Sequence, residues 1–162
     1  MTGRSNNEIQ DRFFAALPYI LPLIYVLPFG MSLLQQFPFL GFIYIPLQPV
    51  LQLYYGFPFA GLIIFFVLIF AVVRNENISH FIRFNTMQAI LLDILLILIR
   101  FAGQILGSGL NAGSGGNLLA ETLSNTVFLG VLAACLFSIV QSARGIYAEL
   151  PAISEAVHGQ VR

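Results

Sequence analysis

Chemistry in this sequence would have to come from four polar residues set in one apolar stretch. Thr86, Asp93, Arg100 and Gln104 are separated by seven, seven and four residues. On a helix turning ~100° per residue they fall on one stripe within about 40° of arc. Asp93 sits in the run LLDILL. A carboxylate at the apolar middle of a membrane helix costs roughly 2.5–3.5 kcal/mol on insertion scales, so it faces protein or water and not lipid tails. Two readings follow. The stripe is the polar wall of a conducting path or groove. Alternatively, Asp93 is a structural carboxylate bonded to a neighbouring helix or a partner subunit, which asks less of one acid per chain. Asp93 and Arg100 are about 10 Å apart along such a helix, too far for a direct ion pair.

The remaining polar residues offer less. Asn85 and Gln88 stand near the start of the same stretch, where amide side chains bond across membrane helices. Gly103 and Gly107 make a GxxxG pair, a packing face in membrane helices, and leave a homo-oligomer open. His80 and His158 are expected at the surface or at helix caps, because no Cys, His or carboxylate cluster converges on them. Cys135, in AACLF, reads as a small buried apolar residue, and a single cysteine excludes an internal disulfide. No nucleophile elbow, phosphate loop or metal-ligand spacing occurs. The expectation is a protein that is not an enzyme and has no cofactor or metal.

Composition says what must hold these residues. Of 162 residues, 58% are hydrophobic and 9% charged, against a usual ~25% charged. Mean hydropathy is +0.88. So few charges cannot cover the surface of a soluble domain, and the chain reads as a multi-pass protein whose solvent is the lipid bilayer. Formal net charge is +0, so no basic field exists to hold nucleic acid. The expected fold class is all-α: one membrane domain over residues 1–162, an integral bundle of four transmembrane helices with short interfacial helices.

The spans follow from the apolar runs. From Phe13 to Val73 there is no charged residue and no histidine. A span needs ~20 apolar residues. The first span is expected over residues 14–34, kinked by Pro18, Pro22 and Pro28, whose missing donors free carbonyls that need other partners in lipid. Residues 35–57, with four glutamines and three prolines, are expected to form an interfacial connection. A short helix near 50–55 would lie in it, and Tyr44, Tyr54 and Tyr55 suit the headgroup level. The second span is expected over 58–73, the third over 82–106 and the fourth over 118–140. A glycine-rich loop covers 107–117.

Every basic residue is arginine. Arg4 and Arg12 precede the first span, Arg74 and Arg83 bracket the polar connector RNENISHFIR, and Arg144 and Arg162 follow the fourth span. Arginine-rich short loops stay inside, so both termini are expected on the cytoplasmic or stromal side. Three spans within residues 13–73 would split Arg12 from Arg74 and rank second. Ser5 and Glu8 have capping-box spacing, so a helix is expected to start outside the membrane and run into the first span. Pro151 can start a short C-terminal helix with Ala152, Ile153, Ala156, Val157 and Gln160 on one face, lying on the membrane or loosely ordered.

Three stretches resemble the Tic-twenty (Tic20) family, named for a membrane subunit of the protein-import translocon of the chloroplast inner envelope. They are RFFAALPYILPLIYVLPFG from Arg12, VVRNENISHFIRFNTMQAILLDI from Val72 and SIVQSARGIYAELPAISEAV from Ser138. The middle one is the most specific, and Arg74, Asn75, Phe81, Arg83, Asn85, Gln88 and Asp93 carry it. The resemblance implies four transmembrane helices. It also implies a channel-forming or core subunit for precursor protein transport, with precursor proteins and other translocon subunits as partners. The alternative is a non-conducting structural or assembly subunit of a membrane complex. No Ser- and Arg-rich stretch precedes the first span, which points to a cyanobacterial or plastid-encoded member. Its expected residence is the cyanobacterial plasma membrane or the plastid inner envelope membrane.

Overall fold

The computed structural model describes residues 2–110, 116–150 and 153–161, and all regular structure among them is helical. The first apolar stretch, Ile9–Gln36, is long enough to cross a membrane but is not one regular helix. It runs as α1 (Thr2–Ala16), α2 (Ile20–Val26) and α3 (Met31–Gln36), joined by 3₁₀ turns at Leu17–Tyr19 and Leu27–Gly30. Each turn carries a proline, Pro18 or Pro28, as its second residue. A proline has no N–H to give to the carbonyl four residues back, so the chain tightens into i→i+3 bonding there. Helix α1 starts at Thr2, so Ser5 lies within the helix and not at its cap.

The freed carbonyls find donors outside the span. Leu27 N–H turns to Ile24 O. Leu23 O instead accepts from the Tyr44 hydroxyl at 2.9 Å. Ile24 O, which a helical residue 28 would have bonded, also accepts from the Tyr55 hydroxyl at 3.1 Å. Leu23 and Ile24 are at the middle of Ile9–Gln36. The connector after α3 therefore enters the bundle, which departs from the headgroup position expected for these tyrosines. An unpaired carbonyl in hydrocarbon costs several kcal/mol, and that outweighs a tyrosine's preference for the interface.

The connector folds as a 3₁₀ stretch, Pro38–Tyr44, then α4 (Gln48–Gly56). Helix α5 (Ala60–Val67) follows and continues as a π-helical segment, Leu68–Val73, which the Arg74 N–H closes by bonding Ile69 O at 3.1 Å. The two halves, Gln48–Gly56 and Ala60–Val73, meet at 106°. Phe59 sits at the corner with φ 62°, a strained left-handed backbone for a non-glycine residue. Pro58 thus belongs to the corner, and the helix expected from residue 58 begins at Ala60. Ala60–Val73 rises only about 21 Å at 1.5 Å per residue, short of the ~30 Å hydrocarbon core.

Helix α6 (His80–Leu110) starts where the Ser79 hydroxyl accepts the Ile82 N–H at 3.4 Å, an N-cap. Helix α7 (Gly116–Ala143) is the third long apolar helix, and residues 111–115 of the expected glycine-rich loop lie outside the described residues. Among the described residues, three helices are thus long and apolar enough to cross a membrane, or four if the bent pair is one span. The first span packs against both α6 and α7, and its Gly30 makes room for the Phe128 ring, which a Cβ would strike. The core joins Tyr19, Leu23, Leu51, Leu92, Leu96, Phe128 and Cys135. Phe66, Phe70, Leu98, Phe101 and Phe137 are exposed on the outside, where lipid is the solvent.

Helix α8 (Ile153–Gln160) folds back onto α6. Its buried face is Ser154 and Val157, with Val161 beyond it, packed with Phe84 and Val73. Ala156 and Gln160 are exposed, so the buried stripe is rotated from the expected one. Pro151 and Ala152 lie outside the described residues.

Candidate functional site

The polar side chains form two groups. The first is a buried network near the start of α6. Asn85 Oδ1 accepts from the Tyr19 hydroxyl at 2.8 Å and from the Ser142 hydroxyl at 3.1 Å. Asn85 Nδ2 donates to Phe81 O at 2.9 Å. Gln88 Nε2 donates to the Tyr19 hydroxyl at 2.8 Å and to Ala148 O at 2.6 Å. Tyr19, Asn85, Gln88, Ser138 and Ser142 are fully buried. The network ties the first 3₁₀ turn, α6, α7 and the segment after α7 into one piece. In a low-dielectric interior such bonds are strong and their loss is costly.

The Tic20-like positions concentrate around this network. Arg83 Nε donates to Val73 O at 2.8 Å, a cation on the last carbonyl of the π segment. Asn75 Oδ1 accepts the Asn77 N–H at 3.0 Å and turns the connector. Arg74 lies over the Phe70 ring, 5.3 Å from its centre. Phe81 and Phe84 each meet Tyr147 edge-on at 5.1 Å. His80 Nδ1 lies 3.0 Å from the Tyr147 hydroxyl, and Phe84 also contacts the His158 ring at 4.9 Å. Both histidines therefore belong to the aromatic cluster that seats the C-terminal tail. Burial pushes the Tyr147 hydroxyl pKa above its ordinary value.

The second group is the stripe on α6, and the four residues do not share one environment. Thr86 is fully buried and its hydroxyl has no hydrogen-bond partner. Asp93 is half-buried, and its Oδ1 likewise has none. Tyr54, from α4, lies within electrostatic reach of both Asp93 and Arg100. Arg100 and Gln104 are exposed on the bundle's outer surface. A Cβ on Gly103 or Gly107 would touch nothing within 4 Å. At the α3 end, Ser32 bonds Glu121, and Gln36 Nε2 donates to Ser32 Oγ at 3.4 Å. No group of three or more potential metal ligands occurs among the described residues.

Sequence reasoning picked out Asn85 and Gln88, missed Tyr19 and Ser142, and gave Tyr44 and Tyr55 a headgroup role in place of their bonds to the first span. Ser138 and Ser142 are one helical turn apart and follow the apolar run from Val127 to Phe137, and Tyr19 stands between two prolines. Those were the available signals, and neither names a partner.

A kinked, polytopic helical membrane protein, its inner-facing polar residues locked in one network and a carboxylate left open in mid-span, is the class these features define. The sequence profile described as "Chloroplast import apparatus Tic20-like" matches residues 5–157. A Tic20 family protein of Synechocystis sp. is 56% identical over 162 residues, covering 100% of this chain and 99% of that one. Protein TIC 20-v, chloroplastic, of Arabidopsis thaliana is 34% identical, covering 98% of this chain and 75% of its own length. The Tic20 family protein Ycf60 of Gracilaria tenuistipitata var. liui is 35% identical, covering 94% and 76%. The chain belongs to the Tic20 family, which has cyanobacterial and plastid members.

Proposed function

We propose that the chain is a core, channel-forming subunit of a membrane translocon for precursor proteins. It crosses the bilayer four times, the bent pair counting as one span, with both termini on the cytoplasmic or stromal side. It resides in a cyanobacterial plasma membrane or a plastid inner envelope. The supporting observation is Asp93, a carboxylate in mid-span whose Oδ1 has no hydrogen-bond partner among the described residues. It continues along α6 into the exposed Arg100 and Gln104. Membrane ionisable groups face a protein partner or water, so this face of α6 is read as one wall of a path completed by another subunit or copy. The groove between the first span, the α5–π segment and the start of α6 is apolar, which is why a single copy is not read as a complete path.

Planar-bilayer recordings of the purified protein test this reading. Conductance that precursor peptides block is the expected result, and Asp93→Asn should shift ion selectivity while leaving assembly intact. A silent bilayer overturns the conducting role.

A second reading is a non-conducting brace, favoured by the consumption of Tyr19, Asn85, Gln88 and Ser142 in internal bonds. In that case Asp93→Leu should break assembly, because a partner's polar group is left unpaired at about 1–3 kcal/mol. Asp93→Asn should then keep most of the assembly.

A further inference from the structure

A cavity of about 460 Å³ lies where the foot of the π segment, the start of α6 and the end of α8 meet. Ile69, Val73 and Met87 give it an apolar wall, and Arg74, Arg83 and Gln160 supply its polar side chains. Arg74 and Gln160 are exposed and Arg83 is half-buried, so the cavity opens to the surface on its polar side. No Asp or Glu is among its described lining residues. The acids nearest in sequence, Glu76 and Glu155, are exposed and outside it. Two contacts orient the guanidinium groups. Arg83 Nε donates to Val73 O at 2.8 Å, which pins that group in the wall. The Arg74 group lies on the Phe70 ring, 5.3 Å from its centre, and Phe70 stacks on Phe66 with ring centres 6.1 Å apart. Phe66 and Phe70 are both exposed on the lipid-facing surface. Arg74 therefore joins a basic cavity to an apolar column. From residue 74 to residue 66 that column descends about 12 Å at 1.5 Å per residue.

We propose that this cavity binds the headgroup phosphate of an anionic membrane phospholipid. Arg74 and Arg83 donate to the phosphate oxygens, Gln160 Nε2 donates to the headgroup, and an acyl chain lies along Phe70 and Phe66. Charge selects an anion. Two cations with no acid beside them make a basic pocket between membrane helices, the kind that takes anionic headgroups. A guanidinium fork also meets two phosphate oxygens at once, which a carboxylate-free wall leaves it to do. A zwitterionic headgroup brings its own cation to the same place and gains less. The aromatic column selects a lipid over a free phosphate, because a soluble ion gains nothing from Phe66 and Phe70. Position agrees. Val73 ends the apolar segment and Arg74 is the first charge after it, so the cavity stands where hydrocarbon gives way to headgroups. Conduction plays no part in the argument, and the site stands or falls separately from it.

The test uses the full chain in detergent micelles holding phosphatidylglycerol and phosphatidylcholine with the same acyl chains, and native mass spectrometry reads the lipid that stays bound. Phosphatidylglycerol should be retained in preference to phosphatidylcholine. Arg74→Gln changes an exposed side chain and should weaken that retention roughly tenfold, the worth of one charge-assisted hydrogen bond. Arg83→Gln should act likewise, and Arg74→Gln carries the test alone if that variant does not fold. Arg144→Gln removes an exposed arginine outside the cavity and should leave retention as in the wild type. Phe70→Ala should weaken retention of the lipid. Glycerophosphoglycerol, the same headgroup without acyl chains, should fail to displace the lipid even in large excess. Equal retention of the two phospholipids overturns the inference. An equal loss in Arg74→Gln and Arg144→Gln also does so, since it would show diffuse attraction to a basic surface. Displacement by glycerophosphoglycerol or by inorganic phosphate would make this a site for a soluble phosphate and would overturn the lipid as occupant.

Discussion

Asn85 has three hydrogen bonds from one amide, two accepted at Oδ1 and one donated by Nδ2, and each reaches a different piece of chain. That arithmetic separates its substitution from that of its neighbours. Tyr19→Phe removes both the donor to Asn85 and the acceptor of a Gln88 Nε2 bond but leaves Ser142 on Asn85 and Ala148 O on Gln88, so the loss should be about 1–2 kcal/mol. Asn85→Leu leaves two buried hydroxyls without their acceptor and should cost roughly 2–3 kcal/mol. Because both changes remove the same bond, the double variant should lose less than the sum of the two. Thermal unfolding in detergent reads all three values. Full additivity would mean that the bonds at Tyr19 and Asn85 act as separate contacts and not as one network. Sequence inspection could single out Asn85 because an amide in an apolar helix must bond something. It could not pair it with Tyr19, sixty-six positions away, since hydroxyl and amide chemistry does not encode which distant segment arrives.

At the scale of elements, the first span shows what its prolines cost and how the cost is met. Pro28 cannot bond the Ile24 carbonyl, which instead takes the Leu27 N–H and, from α4, the Tyr55 hydroxyl. Pro28→Ala restores an N–H at the position that the helix interior wants. The hydroxyl of Tyr55 should then matter less. Tyr55→Phe alone should destabilise by about 1 kcal/mol, and by a few tenths in the Pro28→Ala background. Limited proteolysis at the connector, with unfolding midpoints alongside, measures both. An equal cost in the two backgrounds would show that Tyr55 serves some contact other than the kink. The kink itself was legible, since proline acts through its own missing hydrogen. The entry of the connector was not, because polar, proline-rich residues 35–57 look alike whether they lie on a membrane or fold into it. The bend at Phe59 escaped for a related reason. A left-handed corner usually advertises itself with glycine or asparagine, and here it falls on an exposed phenylalanine.

For the whole molecule, the arginines other than Arg100 gather at one end of the bundle among the described residues. Arg12 lies against Gly145, whose φ of 76° and lack of a Cβ admit the guanidinium. Arg144 adjoins that turn, and Arg83 holds Val73 at the foot of the π segment, next to Arg74. The far end, at Ser32 and Gln36, has Glu121 and no arginine contact among the described hydrogen bonds. Arginines gathered at one end in short loops favour the cytoplasmic or stromal side for that end. The same end receives the start of α6 and the C-terminal helix, so labels placed there should share one side. Cysteines replacing Glu76 and Glu155 should react with an impermeant maleimide only from that side. One replacing Ser114, between α6 and α7, should react only from the other. The native Cys135 is buried and contributes little background. Labelling of positions 76 and 114 from the same face would mean that α6 does not cross. The Asp93 face would then have no transmembrane path to line, and the translocon reading would have to be rebuilt on the first span and α7 alone.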